Sequence, residues 1–317
     1  MGFNCGIVGL PNVGKSTLFN ALTETAAAEA ANYPFCTIEP NTGRVAVPDP
    51  RLDALASLAG SATVIPTQLE FVDIAGLVRG ASKGEGLGNQ FLANIRETDA
   101  IAHVLRCFDD SEITHVDGSV DPLRDAGTVE TELMLADIES LERRMAALVK
   151  KTRGGDAEAK RDLALMEKLF ARLSEGVPAR RAEGLSADET RRLPQLQLLS
   201  AKPVLYVCNV AEGDAADGND HTAAVALYAE QEGAAHVVVS AAIEAEITQL
   251  QPEDKAEFLS ELGLQEAGLA RLIRAGYGLL DLLTFFTAGP KEARAWTVAA
   301  GSSAPEAAGV IHTDFQR

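Results

Sequence analysis

The chain has 317 residues, 46% of them hydrophobic and 23% charged, which is typical of a soluble globular protein with two or three domains. The formal net charge of −18 argues against a protein whose whole surface binds nucleic acid. Apolar runs are too short to span a membrane, and the first residues lack the segments of a signal peptide. Four widely spaced cysteines predict a reduced, cytoplasmic protein without structural zinc: Cys5, Cys36, Cys107 and Cys208.

A glycine-rich segment near the N-terminus carries the strongest chemical signal. Residues 3–8 form an apolar run, residues 9–16 read Gly-Leu-Pro-Asn-Val-Gly-Lys-Ser, and residues 17–22 look like a helix start. This order of strand, loop and helix fits the phosphate-binding loop of nucleoside triphosphatases. The backbone amides of six residues are expected to bind the β- and γ-phosphates: Asn12, Val13, Gly14, Lys15, Ser16 and Thr17. Lys15 would also reach the terminal phosphates as a catalytic residue, and Ser16 would ligate Mg²⁺.

Two further segments predict the partners of this loop. Thr37 lies between the predicted first helix and second strand, where a threonine commonly binds Mg²⁺ when the γ-phosphate is present. Asp73 ends a predicted strand, and its carboxylate would hold Mg²⁺ through water, while the Gly76 amide would contact the γ-phosphate. Leu77 occupies the position where many nucleotide switches carry a glutamine that orients water. An apolar side chain cannot polarise water, so either turnover is slow or another group replaces the glutamine.

Short apolar runs alternate with helical patterns along most of the chain. Strands are predicted at residues 3–8, 43–47, 69–72, 101–107, 204–208 and 236–239. This alternation predicts an α/β fold, in which a mostly parallel sheet has helices on both faces. The functional loops of such a sheet lie at the carboxyl ends of its strands.

The alternation stops after about residue 128. Apolar residues at spacings of three and four predict two antiparallel helices joined by a glycine turn: Met134, Ile138, Leu141, Met145 and Leu148, then Leu163, Met166, Phe170 and Leu173. Helices packed on the main core are the alternative, but the charged flanks favour a protruding hairpin. Residues 143–192 hold 13 Lys and Arg against 8 Asp and Glu, a net of +5. Such a segment is typical of a module that faces a polyanion or, equally, of a solvated helical face.

The ends of the last two predicted strands are expected to bind the base. The usual guanine motif is Asn-Lys-x-Asp, in which the aspartate accepts hydrogen bonds from N1–H and the 2-amino group. Residues 209–212 read Asn-Val-Ala-Glu, without the lysine and with a longer carboxylate. Adenine presents an acceptor at N1, so Asn209 would bind its N7/N6 edge and ATP would be tolerated or preferred, with a plain loop as the alternative. The predicted base contacts are Asn209, Val210, Glu212, Ser240, Ala241 and Ala242.

Together, these motifs resemble the YchF family of Obg-related P-loop nucleoside triphosphatases over nearly the whole chain. The resemblance rests on residues 9–16, 32–41, 73–92, 209–212 and 285–297, above all on the long glycine-rich segment after Asp73 and the Asn-x-x-Glu motif.

The resemblance implies three domains and an activity. The domains are a nucleotide-binding domain, an inserted α-helical coiled coil and a C-terminal TGS domain, expected at residues 1–127 with 200–277, 128–199 and 278–317. The last segment is short for an independent domain, so an incomplete TGS domain is expected. Family members hydrolyse ATP, often in preference to GTP, and associate with ribosomes. A hydrophobic residue, matched by Leu77, replaces their catalytic glutamine; by position His115 would take over its role, and Asn12 resembles an asparagine that helps to bind K⁺.

Three functions remain open from the sequence. The first is a slow Mg²⁺-dependent ATPase that acts as a switch and is stimulated by K⁺. The second is a GTPase with the same site, and the third is a binding module whose nucleotide is mainly structural. The expected partners are ATP or GTP and the ribosome or its RNA, contacted through the basic hairpin and the TGS domain. Neither a membrane nor sequence-specific DNA is expected as a partner.

Overall fold

The short apolar runs of the sequence form the strands of the fold. The computed structural model describes residues 3–30, 42–74 and 87–316. All six predicted strands are present, each within one residue of its predicted bounds at either end. The strands are β1 (Asn4–Val8), β2 (Thr42–Ala46), β3 (Thr63–Ile65), β4 (Gln68–Asp73), β5 (Ala100–Arg106), β6 (Val204–Asn209), β7 (Ala235–Val239), β8 (Leu282–Ala288) and β9 (Glu292–Ala299).

Helices connect most of these strands. They are α1 (Lys15–Ala30), α2 (Pro50–Ala59), α3 (Leu87–Glu97), α4 (Pro122–Arg153), α5 (Ala157–Ser174), α6 (Ala187–Arg192), α7 (Asp220–Glu232), α8 (Ala241–Gln249), α9 (Pro252–Glu261), α10 (Gly268–Leu279) and α11 (Ala304–Ile311). Asp49, Asp121 and Asp156 begin α2, α4 and α5, and each accepts a backbone N–H of the first turn with its side chain. Within the described ranges, each helix is too short or too polar to cross a lipid bilayer.

The main sheet has six strands in the order β2-β4-β1-β5-β6-β7. All neighbours are parallel except β2, which pairs antiparallel with β4 at the edge. Every residue of β5 and β6 is buried, although successive side chains point to opposite faces of a sheet, so both faces are covered. The predicted α/β class is therefore confirmed, and the carboxyl ends of five parallel strands lie along one edge.

The three cysteines in and beside the main sheet are buried and form no disulfide bond. Cys5 and Cys208 lie in β1 and β6, and Cys107 follows β5 directly. The prediction that Cys107 lies inside the strand was wrong by one residue, because the ladder ends at the pair Arg106 and Asn209. Cys36 lies outside the described residues.

The helices α4 and α5 form the predicted hairpin, with a turn at Gly154 and Gly155. The predicted residues Met134, Leu141, Met166 and Leu173 are buried in its core. On α5 the most deeply buried residues are instead Leu165 and Leu169, and the predicted Leu163 does not join the cluster. The reason is a third layer: the chain that returns from α5 packs on the same cluster and widens the buried stripe beyond a two-helix seam. This layer contributes Ala179, Leu196 and Leu198.

Helix α4 contributes to two hydrophobic cores. Its first turns place Ala126, Val129 and Leu133 in the main core, and its later turns place Met134 and Leu141 in the hairpin core. The helix therefore runs unbroken across the predicted boundary between residues 127 and 128. The division into three domains stays a prediction, but the hairpin is attached through a continuous helix and not through a linker.

A buried carboxylate fixes the return of the chain from the hairpin. Asp137 of α4 accepts hydrogen bonds from the Leu199 N–H (2.8 Å), the Ser200 N–H (2.8 Å) and the Ser200 hydroxyl (2.7 Å). Burial raises the pKa of Asp137, while these three donors favour its charged form. The carboxylate thereby satisfies polar groups that would otherwise be buried without partners.

A second sheet joins distant parts of the chain in the order β3-β9-β8. β9 pairs antiparallel with β8 and parallel with β3, and α2 covers the sheet through Leu52 and Ala56. Strand β3 was not predicted, because its three residues before Pro66 are too few to show the alternation of a strand. The TGS assignment of residues 278–317 stays a prediction.

The Asp137 anchor gives a prediction about stability. Asp137→Ala should lower the free energy of unfolding by about 3 kcal/mol, because three buried donors lose their acceptor. Urea unfolding followed by circular dichroism measures the change. The control is Glu139→Ala, an exposed residue of the same helix, which should change stability by less than about 0.5 kcal/mol. Equal changes for both variants would contradict the anchoring role.

Candidate functional site

The loop between β1 and α1 has a backbone conformation that few residues adopt. Asn12 and Gly14 have φ of +63° and +88°, in the left-handed region that favours glycine. A Cβ atom at Gly14 would also lie only 2.1 Å from the amide nitrogen of Asn209. Glycine is therefore required at position 14 by both conformation and packing. The loop leads into the first turn of α1, whose N–H groups have no helical partners and attract anions.

A cavity of about 510 Å³ lies over this loop. Its lining includes Asn12, Gly14, Lys15, Ser16, Thr17 and Asp73. The Lys15 ammonium forms an ion pair with the Asp73 carboxylate, which lies at the carboxyl end of β4. The side chain of Val13 is buried, so only its backbone can serve a ligand. A phosphate group in this cavity would meet a lysine ammonium and the positive end of a helix.

The oxygen atoms of this cavity fit Mg²⁺. The exposed Ser16 hydroxyl and the Asp73 carboxylate line the same space, and both are hard donors of the kind that Mg²⁺ prefers. Among the described residues, no group of three or more His, Cys, Asp or Glu could hold a metal alone. Ligands from phosphate and water would therefore complete the shell, as is usual for Mg²⁺. The predicted residues Thr37, Gly76 and Leu77 lie outside the described residues.

A second cavity, of about 770 Å³, adjoins the first and shares Asn12, Gly14 and Thr17 with it. Residues 108–113, which follow β5, form one wall. Residues 209–213, which follow β6, and the start of α8 form the other. The two cavities together make a groove with a charged end at Lys15 and a wider end between two loops, which is the arrangement that a nucleoside triphosphate requires.

The Asn209 side chain joins the two loops that close this groove. It is only 4% exposed. Its Nδ2 donates to the Val13 carbonyl at 2.9 Å, and its Oδ1 accepts from the Ala241 N–H at 2.9 Å. From the sequence this amide is expected to bind the edge of the base, whereas in the structure both of its ends bind protein backbone. Its contact with the base stays a prediction, and the role that the geometry shows is to join the two loops.

The other predicted base contacts lie around the wider cavity, with one exception. Val210, Glu212 and Ala242 line it, and Glu212 is exposed. Because Asn209 occupies the Ala241 N–H, Ala242 is the cavity-lining residue in the first turn of α8 whose N–H is still available. Ser240 does not line the cavity; its hydroxyl is buried without a hydrogen-bond partner among the described residues.

His115 lies beside the groove but does not line it, and its catalytic role stays a prediction. Its Nε2 lies 2.9 Å from Asp125 Oδ2, and its Nδ1 accepts from the Asp117 N–H at 3.1 Å, which places the ring proton on Nε2. Burial raises the pKa of Asp125, and the bond with His115 opposes this shift. The histidine lines neither cavity. Both ring nitrogens thus have protein partners at the start of α4.

The side chain of Asn12 connects the phosphate loop to the loop after β5. Its Nδ2 donates to the Thr114 carbonyl at 3.1 Å. The Asn12 amide oxygen has no partner within the described parts of the chain, so it is chemically suited to a monovalent cation such as K⁺.

The wall formed by Phe108, Asp109, Asp110 and Ile113 was not predicted from the sequence. No motif marks these residues. One signal was present: they follow the carboxyl end of a buried strand, where ligands of parallel sheets bind. That β5 lies between β1 and β6, and so beside the phosphate loop, is visible only in the sheet order.

Two family models match the chain. A model described as 50S ribosome-binding GTPase matches residues 4–139, which include the phosphate loop and Asp73. The YchF-GTPase_C model, described as a protein of unknown function, matches residues 282–317.

Related proteins match over the whole chain. The ribosome-binding ATPase YchF of Haemophilus influenzae is 59% identical over 317 residues, which cover 100% of this chain and 86% of that protein. The ribosome-binding ATPase YchF of Bacillus subtilis is 52% identical over 319 residues, covering 100% of this chain and 87% of that protein. The solved structure of the Schizosaccharomyces pombe YchF GTPase superposes with a TM-score of 0.88 at 40% identity and covers 99% of this chain and 85% of that one. Identity of this extent, on the same fold, means that this chain belongs to the YchF family of P-loop nucleoside triphosphatases.

Proposed function

We propose that this protein is a cytoplasmic, ribosome-associated ATPase that acts as a nucleotide-dependent switch. The observation that carries the proposal is the groove along the carboxyl edge of the sheet, with Lys15 and Asp73 at one end and a cavity of about 770 Å³ at the other. A charged end and a wider end match the triphosphate and the nucleoside of one ligand. The names of the H. influenzae and B. subtilis relatives support the choice of ATP and the ribosome.

In the proposed reaction, Lys15 exchanges its partner. Its ammonium leaves the Asp73 carboxylate for the oxygens of the β- and γ-phosphates, which the amides of residues 12–17 also bind. Ser16, Asp73 and Thr37 would hold Mg²⁺, which when bound neutralises charge on these phosphates. The Gly76 amide would contact the γ-phosphate, and water would attack the phosphorus in line.

We propose a low intrinsic turnover. Leu77 cannot orient water, and His115 is held by Asp125 and Asp117. A catalytic arginine supplied by a partner is worth about 10³–10⁵ in rate in related chemistry, so its lack leaves a slow reaction. A K⁺ ion at the Asn12 amide oxygen would offset part of the charge that develops between the phosphates.

A preference for adenine follows from the altered guanine motif. Glu212 is exposed and longer than the usual aspartate, and no lysine stands at position 210 to cover the ring. The guanine-reading geometry is therefore weakened, while the Ala242 amide can still contact a base. A GTP-preferring enzyme is the second candidate, because the Glu212 carboxylate lines the same cavity.

The distribution of ion pairs supports a ribosome contact at the end of the hairpin. Where the hairpin meets the sheet, Arg180 and Arg181 pair with Glu232, and on its outer half Arg192 pairs with Asp162. Six other cations of the hairpin form no ion pair with any described residue, and all but the first lie in the last turn of α4 or the first two turns of α5: Arg143, Lys150, Lys151, Arg153, Lys160 and Arg161. Unpaired cations at the end of a projecting helix pair are suited to phosphates of RNA. The TGS segment is the second proposed contact.

The Lys15 ammonium of the phosphate loop is predicted to be required for hydrolysis. Lys15→Ala should lower the rate of phosphate release from ATP by about 100-fold, because the developing charge loses its ammonium partner. The measurement is single-turnover phosphate release with Mg²⁺. Lys255→Ala, a lysine of α9 outside the groove, should keep the parental rate. Equal rates for Lys15→Ala and the parent would refute the assignment.

The altered guanine motif predicts a higher affinity for ATP than for GTP. ATP should displace a fluorescent nucleotide at about tenfold lower concentration than GTP, a difference of about 1.4 kcal/mol. Glu212→Asp, which restores the usual side-chain length, should shift the ratio toward GTP. Glu230→Asp on the exposed face of α7 serves as the control. Tighter binding of GTP by the parent would favour the second candidate function.

The unpaired cations of the hairpin are predicted to contribute to ribosome binding. Reversing the charges of Lys150, Lys151 and Arg153 to Glu should weaken cosedimentation with ribosomes by about tenfold or more, because phosphates then repel the tip. Lys151→Glu alone should weaken binding more than Lys255→Glu. If the protein is a switch, parental binding also differs between ATP and no nucleotide. Binding that ignores the nucleotide would instead indicate a module with a structural nucleotide.

A further inference from the structure

A buried arginine without an acidic partner ends the central strand β5. Arg106 is 1% exposed, and no ion pair within the described residues includes its guanidinium. Buried cations are normally paired, because a charge loses much of its solvation when it leaves water. The position of Arg106 therefore requires another set of acceptors.

Backbone carbonyls of a single loop supply these acceptors. Arg106 Nε donates to the Phe108 carbonyl at 3.1 Å, Nη1 to the Ile113 carbonyl at 2.9 Å, and Nη2 to the Asp110 carbonyl at 3.0 Å. The guanidinium carbon also lies 4.8 Å from the centre of the Phe108 ring. One planar group thus collects three carbonyls from residues 108–113, a geometry that only arginine provides.

The same loop is the wall of the wider cavity, lined by Phe108, Asp110 and Ile113. Its two ends are tied to the rest of the groove. The Cys107 carbonyl accepts from Asn219 Nδ2 at 2.8 Å, and the Thr114 carbonyl accepts from Asn12 Nδ2 at 3.1 Å. Between these ends, the Arg106 side chain binds the loop through the three carbonyls.

We infer that Arg106 is a positioning residue that holds residues 108–113 as a preformed wall against the base of the bound nucleotide. The inference rests on the proposed function, because it assumes a base in this cavity. Arg106 does not line the cavity and acts only through the loop. A wall that is already ordered removes the cost of ordering a loop when the ligand binds.

Arg106→Lys tests the inference with the charge retained. A lysine ammonium is a single point donor and cannot bind three carbonyls spread over a plane. Calorimetry would compare two probes on the full-length protein: ATP, which has a base, and inorganic tripolyphosphate, which lacks one. We expect affinity for ATP to fall about tenfold, or about 1.4 kcal/mol, with no change for tripolyphosphate. Arg172→Lys, on a half-exposed arginine of the hairpin, should change neither.

Three outcomes distinguish a failure of the inference from a failure of the proposed function. Unchanged affinity for ATP in Arg106→Lys would overturn the inference and leave the proposed function intact. An equal loss for ATP and tripolyphosphate would also overturn it, since that pattern means a general structural role. Absence of ATP binding by the parent would overturn the proposed function and, with it, the inference.

Hydrogen exchange of the parent tests the preformed wall without any variant. Amides of residues 112 and 113 bond to Asp110 and should exchange slowly without nucleotide, with little further slowing by ATP. Exchange that becomes slow only after ATP is added would show a wall ordered by the ligand and would refute the inference even if Arg106→Lys failed to fold.

Discussion

The arrangement of the loops around the groove depends on one buried side-chain amide. Asn209 binds the Val13 carbonyl with one end and the Ala241 N–H with the other, and the bare Cα of Gly14 leaves room for it. These two hydrogen bonds hold the phosphate loop, the end of β6 and the start of α8 in a fixed arrangement. Because the amide is buried, losing either bond would leave a backbone group without a partner. The phosphate end and the base end of the groove are thereby built as one unit.

The described lining of the groove does not hold an excess of basic residues; its lysine is paired with an aspartate. The chain carries −18 overall, yet the phosphate end presents the Lys15 ammonium and the N-terminus of α1. The partner of Lys15 is Asp73, a group that also suits Mg²⁺. A ligand that brings both phosphates and Mg²⁺ can satisfy both side chains at once, whereas phosphate alone would leave the carboxylate unpaired. In the proposed function, this coupling would make binding of the nucleotide and of Mg²⁺ depend on each other.

The hairpin is joined to the sheet by a continuous helix, a buried carboxylate and buried ion pairs. Helix α4 lies in both cores, Asp137 binds the returning chain, and Arg180 pairs with Glu130 of α4 and Glu232 of α7. Buried ion pairs of this kind fix orientation more than they add stability. Helix α4 thus begins beside the groove, where His115 and Asp125 pair, and ends at the turn of the hairpin. This continuity is compatible with the proposed switch.

Local patterns were enough to predict the phosphate loop, the six strands of the main sheet, the hairpin helices and the family. These follow from patterns within a few residues, because glycine conformation, strand alternation and helical periodicity are local properties. Which loops meet depends on the tertiary structure. Only the folded chain shows that Asn209 bridges two loops, that His115 pairs with Asp125, and that residues 108–113 line the groove. Folding also joins β3 to β9 across more than 200 residues of chain. Such contacts depend on the order of strands in the sheet, which is set by packing among distant segments and leaves no local pattern in the sequence.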